Sequence, residues 1–398
     1  MLYGDIAHAI GNPAHESIAA RVYLSDGTGF GLYVLQEDCT TESFINSAFY
    51  GKQDGTIEPH EMSPIYDCST GADFNVNDEN NLGDFQSFEG DPKAELLEMT
   101  RQIDQLNIMD DEAVKNLDEN WLELDTLFRA LALEYLAGHW DSYWFMTTNF
   151  VVYHPAEETE GTQWNYSKYK YYFIDQDFDQ TWGSNMKASF EVNVYPTRQY
   201  DYYINRPVEY WKTINADEIN SEGKLLEKGT RVILNKLIGC DGNPSCSTKT
   251  YFENHLKNIV QHIFNPVAIG RKIEEGYKIR LDEEIQWDTQ LNRLHVSERG
   301  QFHFTYNDFL TNIEQGVGAF PYGIMDWTTK MADLVCNQFQ IEYDSVALTP
   351  ETAANFKAQD IEPGTEYDDN KLNSGSFINT VNMALVTMVT VLSVVLLF

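Results

Sequence analysis

The amino-acid sequence predicts a protein of the α+β class, with the predicted strands before residue 183 and mainly helices after it. Two pairs of short apolar runs have the length of strands and are separated by polar loops, at residues 20–24 with 30–36 and at residues 150–153 with 171–174. Beyond residue 183 the apolar residues recur at helical spacing, over residues 225–237, 249–263, 267–286, 307–315 and 323–339. Strands and helices that segregate along a chain in this way are typical of α+β proteins.

Length and charge narrow the classes of function. The chain has 398 residues, more than one hydrophobic core usually serves, so two subdomains or lobes are expected. Its formal net charge is −35, which argues against nucleic acid as a partner because few cations are left to neutralise phosphates. An acidic composition by itself indicates a well-solvated surface and not a metal site.

The first half of the chain is predicted to consist of short elements. Residues 5–10 are expected to be the end of a helix, because the sequence Gly-Asn-Pro that follows stops it. The glycines within residues 27–31 lack the spacing of a phosphate-binding loop, and no helix follows them, so they predict the turn of the first hairpin. The acidic residues 54–91 are expected to form a long connection or an exposed insertion. Three helices follow, at residues 93–106, 110–117 and 124–137, the last of them apolar enough to be buried.

Two stretches contain most of the residues able to do chemistry. Residues 138–143, with the sequence GHWDSY, place Asp141 directly after the buried helix, and Asn149 follows shortly afterwards. A second stretch, IDQDFDQTWG, has three carboxylates at alternate positions, which on a strand would all lie on one face: Asp175, Asp177 and Asp179. Three like charges repel one another unless a cation lies between them, and hard oxygen ligands suit Mg²⁺ or Ca²⁺. One Asp, one Asn and acidic metal ligands from two loops are also the groups used in phosphoryl transfer.

Each of these features has a structural explanation as well. Asp141 could cap the next helix, which is a common position for Asp. The three carboxylates could be solvated strand residues, although their apolar neighbours indicate a buried setting in which unpaired charge is costly. An EF-hand calcium loop is excluded, because Gln180 and Met186 stand where that loop requires Gly and Glu. The sequence has no H-E-x-x-H helix and no G-x-S-x-G turn, which argues against a zinc protease and a serine hydrolase.

The five cysteines indicate at least one disulfide in an oxidising compartment. Cys240 and Cys246 bracket a turn-forming loop and are expected to form a short disulfide. A bond between Cys39 and Cys68 is a weaker expectation. Cys336 is then left over, and none of the spacings is typical of a zinc site.

The C-terminal part of the chain has the layout of a glycosylphosphatidylinositol (GPI) attachment signal. An acidic flexible stalk is predicted over residues 341–372, and small residues follow it, with Asn373 and Ser374 as the expected attachment point. A polar spacer and an apolar run complete the signal within residues 373–398, for which a tail-anchored helix or a buried helix are the alternatives. Asn165 lies in the glycosylation sequon Asn-Tyr-Ser, which fits a surface loop of a secreted glycoprotein.

A GPI signal requires entry into the secretory pathway, yet residues 1–8 lack the basic and apolar regions of a signal peptide. We therefore expect the natural sequence to begin upstream of Met1. The predicted location is the cell surface or extracellular space, with a GPI anchor in the plasma membrane or a link to the cell wall.

Several motifs, in this order and spacing, resemble those of the CotH-type spore-coat protein kinases. Residues 31–37, GLYVLQE, are similar to the GLYxxxE strand of that family, and residues 131–149 are similar to its helix and Asp-containing loop. Residues 177–183 resemble its WDxDxxxG strand, with Gln176 in place of the Trp. Residues 264–266 and 321–336 resemble the helical end of fungal-type members. The resemblance covers residues 1–340, which makes this stretch the expected kinase-like domain.

The resemblance implies an atypical protein-kinase-like fold with a small strand-rich N-terminal lobe and a larger helical C-terminal lobe. It implies ATP and Mg²⁺ (or Mn²⁺ or Ca²⁺) as cofactors, and transfer of the γ-phosphate to Ser or Thr of a secreted or coat protein. By motif match, Asp141 would be the catalytic-loop Asp and Asp177 the principal metal ligand. Asn149 would be a second metal ligand or an amide that orients the loop, and Asp179 and Asp175 would be second-rank ligands. Glu37 would position a group that contacts the nucleotide.

Two departures from the family pattern support a competing hypothesis. Family members have N-terminal strands before the helix with which this chain opens, so the N-terminal lobe is expected to be incomplete here. Asp67 stands where many members have a Lys that could neutralise nucleotide phosphates, and a carboxylate there would repel them. The alternative is therefore a non-catalytic pseudokinase that acts as a spore-coat or cell-surface adhesin-like protein.

Overall fold

The computed structural model describes residues 1–52, 55–57, 60, 63–76, 82, 84–87, 93–155, 170–186, 191–206, 231–291 and 304–348. Asn165, Asn373 and Ser374 lie outside these residues, as do the apolar run and most of the predicted stalk. The helices are α1 (Leu2–Ala9), α2 (Glu42–Tyr50), α3 (Ala94–Gln105), α4 (Asp111–Asn120), α5 (Leu124–Ala137), α6 (Tyr200–Ile204), α7 (Ser247–His262), α8 (Pro266–Lys272), α9 (Lys278–Thr289), α10 (Tyr306–Glu314) and α11 (Ile324–Phe339). The strands are β1 (Ser17–Tyr23), β2 (Gly29–Gln36), β3 (Ile65–Asp67), β4 (Phe150–Tyr153), β5 (Tyr172–Asp175), β6 (Gln315–Val317) and β7 (Phe320–Tyr322). The α+β prediction is confirmed.

A three-stranded antiparallel sheet, β3–β4–β5, lies at the centre of the fold. Phe150 pairs with Asp175, and Tyr66 pairs with Val152, which sets the register of the sheet. Alternate residues of β4 point to opposite faces: Val152 packs into the large core, whereas Val151 packs into a smaller one. Both faces of the sheet are therefore covered, which explains why β4 and β5 are apolar without alternation.

Helix α2 covers the outer face of the sheet and was not predicted from the sequence. Thr41 caps its N-terminus by accepting a hydrogen bond from the backbone N–H of Phe44. Phe44, Ile45 and Phe49 then pack on the sheet in the smaller core. Strand β3 also went unpredicted, because three residues within an acidic connection carry too little periodicity to be recognised.

The helical half packs on α5. This helix is buried on all sides between β5, α7 and α11, and a left-handed Gly138 with φ of 58° ends it. Only a glycine adopts this conformation without strain, and its N–H satisfies free carbonyls of the last turn. The predicted single helix over residues 267–286 is in fact α8, a π-helical turn (Ile273–Tyr277) and α9 in continuous succession. Of the helix predicted over residues 225–237, residues 225–230 lie outside the described part of the chain.

The first hairpin, β1–β2, is present as predicted and packs against α9. Arg21 pairs with Glu284, and the backbone N–H of Leu32 donates to Asp288 over 2.7 Å. Its cross-strand pair Ile18 and Leu35 is 59% and 62% exposed. Much of the apolar surface of the hairpin therefore faces solvent in this structure.

The cysteines are distributed between separate parts of the fold. Cys240 and Cys246 form a disulfide with their Cα atoms 5.7 Å apart. The expected bond between Cys39 and Cys68 is wrong: both are buried free thiols, and they pack in different cores, Cys39 under α2 and Cys68 in the large core. Cys336 is a free thiol as well. Among the described residues, no helix combines the length and apolar character needed to cross a membrane.

Candidate functional site

The first loop of the site follows α5 and folds back onto the last turns of that helix. Glu134 Oε2 accepts hydrogen bonds from Ser142 Oγ over 2.6 Å and from the backbone N–H of Trp144 over 3.1 Å. This carboxylate is fully buried, so its hydrogen bonds are made in a setting of low dielectric, where they are strong. The loop thereby presents Asp141, which is half-buried, at the edge of the helical core.

Asp141 is held in place by the residues that close its own loop. Asn149 Nδ2 donates to the backbone oxygen of Asp141 over 2.6 Å, and Thr148 Oγ1 donates to Asp141 Oδ1 over 3.3 Å. Asn149 itself is buried, with a positive φ of 54° that Asn tolerates better than most residues. The Asp and the Asn that the sequence singled out are therefore in direct contact.

The second loop follows β5 and corrects one prediction. The strand ends at Asp175, and Asp177 lies in the left-handed region with φ of 53°, so the three alternating carboxylates do not share one face of a strand. The side chain of Asp175 is buried, whereas those of Asp177 and Asp179 are exposed. Gln176 still donates its N–H to the backbone oxygen of Asn149 over 3.0 Å, in register with the pair Phe150 and Asp175, and the chain turns away at Asp177.

Three hydrogen bonds join the two loops directly. Nε2 of the buried His139 ring lies 3.1 Å from the backbone oxygen of Asp177. Trp140 Nε1 donates to the backbone oxygen of Ser184 over 2.8 Å, and the third bond is the one from Gln176 N–H to Asn149. In addition, the N–H of Trp182 donates to the backbone oxygen of Ala137, the last residue of α5, over 2.6 Å. Burial lowers the pKa of His139 to about 3, so the imidazole is neutral and Nε2 carries the proton that reaches Asp177. The loop of Asp141 and the loop of Asp177 therefore form one unit.

The carboxylates of Asp177 and Asp179 are partly exposed, and they repel each other. Partial burial raises the pKa of Asp177 above its usual value. Partial burial also raises the pKa of Asp179, with smaller contributions from the negative charges of Asp177 and Asp141. A divalent cation would remove this repulsion, and two carboxylates with the amide oxygen of Asn149 are hard ligands of the kind Mg²⁺ prefers. Within the described ranges, no group of three or more His, Cys, Asp or Glu side chains is arranged to hold a metal ion by itself. A cation here would take its remaining ligands from water or from a phosphate-bearing substrate.

Asp175 belongs to a buried network behind the site. Tyr3 of α1 donates its hydroxyl to Asp175 Oδ2 over 2.7 Å. Burial raises the pKa of Asp175 to about 6, and burial followed by the nearby Asp175 charge raises the pKa of Glu134 well above its ordinary range. Burial therefore disfavours negative charge on both carboxyl groups, and their interactions link α1, α5 and β5. These contacts direct Asp175 inward, away from the predicted role of metal ligand.

Asp67 borders the site from the strand-rich side, and Glu37 follows the end of β2. Glu37 is half-buried at the end of β2, where it accepts the backbone N–H of Glu16 at 3.5 Å, and burial raises its pKa. Asp67 ends β3 and accepts a hydrogen bond of 3.2 Å from Gln176 Nε2, immediately before Asp177. The carboxylate at position 67 thus adds negative charge next to the predicted metal ligand.

Several residues of the site were not recognised in the sequence. Glu134 is the polar residue within an otherwise apolar stretch of α5, and that isolation was a usable signal. His139 and Tyr3 gave no such signal, because their partners lie 38 and 172 residues away in the chain. Local spacing contains no information about contacts of that range.

Comparison with known proteins identifies a family. The model of the CotH kinase protein family matches residues 1–298. Among curated proteins of Rhizopus delemar, Invasin CotH3 is 27% identical over 366 residues, which cover 88% of this chain and 53% of the relative. Spore coat protein homolog 1 is 28% identical over 339 residues, which cover 82% of this chain and 47% of the relative. The chain spans about half the length of the curated relatives it matches. No solved structure matches it.

Proposed function

Because the chain belongs to the CotH kinase protein family, we propose that it is a phosphotransferase that moves the γ-phosphate of ATP to Ser or Thr of a secreted or coat protein. The observation that supports this function is the union of two loops: Asp141 lies on one, Asp177 and Asp179 lie on the other, and three hydrogen bonds hold them together. A base and metal ligands supplied by neighbouring loops are what phosphoryl transfer requires.

The proposed roles follow from the environment of each carboxylate. Asp141 accepts the proton of the acceptor hydroxyl as that oxygen attacks the γ-phosphorus, and the bond to the β-phosphate oxygen breaks to release ADP. Asp177, Asp179 and Asn149 hold a divalent cation, which when bound neutralises phosphate charge. Glu134 keeps the loop of Asp141 on α5 through Ser142 and contributes no group to the reaction.

The kinase-like division into two lobes is part of this proposal. The strands β1–β5 with α1 and α2 correspond to the smaller lobe, and the helices from α5 onward correspond to the larger one. The site residues lie where these two parts meet, since β5 passes directly into the loop of Asp177 and α5 passes directly into the loop of Asp141. In kinases, the nucleotide binds at such a junction.

Metal-dependent nucleotide binding tests the site. Wild-type protein is titrated with ATP in the presence of Mg²⁺ and again in EDTA, by calorimetry. We expect binding in Mg²⁺, loss in EDTA, and at least a tenfold weaker affinity for Asp177→Asn, because a ligand to the cation is removed. Asp104→Asn is the matched control: it makes the same change of charge on an exposed face of α3 and should bind as wild type does. Equal affinity of all three proteins, with or without metal, would contradict the assignment.

A surface location is proposed from the relatives and from the C-terminal sequence. Invasin and spore-coat names belong to proteins that act at a surface or in a coat. With the predicted GPI signal and the sequon at Asn165, these names support display on the outer face of the membrane or in the wall. Phosphatidylinositol-specific phospholipase C should release the protein from intact cells, whereas its retention in the membrane fraction would favour a membrane-spanning tail.

A non-catalytic, invasin-like surface protein is the second candidate, and one observation favours it. Asp67 contacts Gln176, which lies beside Asp177. Its negative charge would repel the phosphates of a nucleoside triphosphate that approached Asp177. Under this alternative the fold is retained and ATP is not bound. Substituting Asp67→Lys distinguishes the two candidates, because recovery of ATP binding in that variant alone would identify wild type as a pseudokinase.

A further inference from the structure

Trp327 of α11 lies between the two loops of the site. If a Cβ atom were present at Gly138, it would collide with the six-membered ring of this Trp. On another edge of the same ring, a Cβ atom at Gly183 would lie 2.8 Å from Cζ3. Both glycines have positive φ, 58° and 76°, and each belongs to one of the loops. The indole therefore fills the space between the start of the Asp141 loop and the end of the Asp177 loop.

The position of the indole is fixed from the other side as well. Trp327 Nε1 donates to the backbone oxygen of Leu136 over 2.9 Å, and the ring stacks on Tyr195 with centroids 5.2 Å apart. Tyr322 meets it edge-on at 5.6 Å. The next residue, Thr328, accepts a hydrogen bond of 3.2 Å from Trp182 Nε1 of the second loop. With 0% of its surface exposed, Trp327 has one orientation available.

From these contacts we propose that Trp327 is a positioning residue, which sets the separation of the two loops and thereby the relation of Asp141 to Asp177. The proposal builds on the phosphotransferase function. Trp327 lies beyond residue 298, where the family match ends, so the functional unit of this chain extends at least through α11. A fragment cut at the family boundary would lose the part that connects its two catalytic loops.

The first test compares two substitutions in the same helix. Trp327→Leu removes the aromatic wedge, whereas Val335→Ala removes buried methyl groups two turns further on, away from both loops. We expect Trp327→Leu to increase amide hydrogen exchange in residues 138–149 and 176–186 together, and to lower the transfer rate at saturating ATP by on the order of 10–100-fold. Val335→Ala should reduce the melting temperature without either effect, and Trp327→Phe should recover most of the rate.

The exchange measurement needs no activity, so it decides the role of Trp327 even if wild type transfers no phosphate. Absence of transfer by wild type would overturn the proposed function alone. The positioning role would be overturned if Trp327→Leu increased amide exchange in only one of the two loops. It would also be overturned if Val335→Ala, at the same loss of melting temperature, increased exchange in both loops as much as Trp327→Leu does.

A double-mutant cycle provides an independent check. Gly183→Ala introduces a Cβ atom against the Trp327 ring and also the strain of a positive φ. The strain is present in every background, whereas the collision disappears in Trp327→Leu. The effect of Gly183→Ala on loop exchange should therefore be at least threefold smaller in the Trp327→Leu background. Additive effects would show that the ring does not separate the loops.

Discussion

Replacing Asp141 with Asn is expected to lower the rate of phosphate transfer by a factor of about 10²–10⁴ while leaving the fold intact. The amide has the same shape but cannot accept the proton of the acceptor hydroxyl. The contact most important for the loop uses the backbone oxygen of Asp141 and not its carboxylate, because Asn149 donates there over 2.6 Å. The side chain loses at most its hydrogen bond of 3.3 Å with Thr148. Initial rates of autophosphorylation with γ-labelled ATP measure the effect.

The control for this experiment is Asp201→Asn on α6, which makes the same substitution at another half-buried carboxylate. We expect this variant to transfer phosphate at the wild-type rate. Melting temperatures of the three proteins should agree within a few degrees. Equal labelling by wild type and Asp141→Asn would refute the catalytic role, and no labelling by any of them would favour the surface-protein alternative.

Replacing Asp73 with Ala is expected to destabilise the protein by about 3–5 kcal/mol. Asp73 is buried and accepts a hydrogen bond of 2.6 Å from the hydroxyl of Tyr143, which belongs to the first loop of the site. It also accepts the backbone N–H of Val232, next to the fully buried Arg231. Burial lowers the pKa of Arg231 to about 9, and the negative charge of Asp73 opposes that shift. Removing the Asp73 carboxylate therefore leaves the buried guanidinium poorly compensated.

Urea denaturation followed by tryptophan fluorescence measures the change in the free energy of unfolding. Asp110→Ala is a useful comparison, because this exposed Asp caps α4 and its loss should cost only about 0.5–2 kcal/mol. Arg231 also donates to the backbone oxygen of Trp144 over 2.9 Å, so Asp73→Ala should loosen the first loop in addition. A loss below about 1 kcal/mol would show that the buried network contributes little.

Features encoded within one element were predictable from the sequence. The spacing of apolar residues identified α5, the first hairpin and most helices of the second half, because a periodic pattern depends on residues only a few positions apart. The order of the motifs also indicated the family, and the match over residues 1–298 confirms it. The contact between Asp141 and Asn149 joins residues eight positions apart, within reach of the same kind of argument.

Only the tertiary structure separated the acidic residues of the second stretch. Asp175 and Asp177 are equivalent in a strand pattern, yet β5 ends between them and turns one inward to Tyr3 and the other outward. The end of a strand is decided by its partners in the sheet, which the local sequence does not specify. The failure to pair Cys39 with Cys68 has the same origin, since the two thiols lie in cores on opposite faces of that sheet.

The sequence alone therefore determined the class of fold through the spacing of apolar residues, and the family through the resemblance of its motifs; it also supplied the candidate site residues. The tertiary structure decided which of those side chains meet. His139 reaches Asp177 across 38 residues, and Trp327 reaches Gly138 from a helix nearly two hundred residues away. Such contacts arise when close packing brings distant segments together, and the free energy of packing depends on the whole core and on no single stretch of the chain.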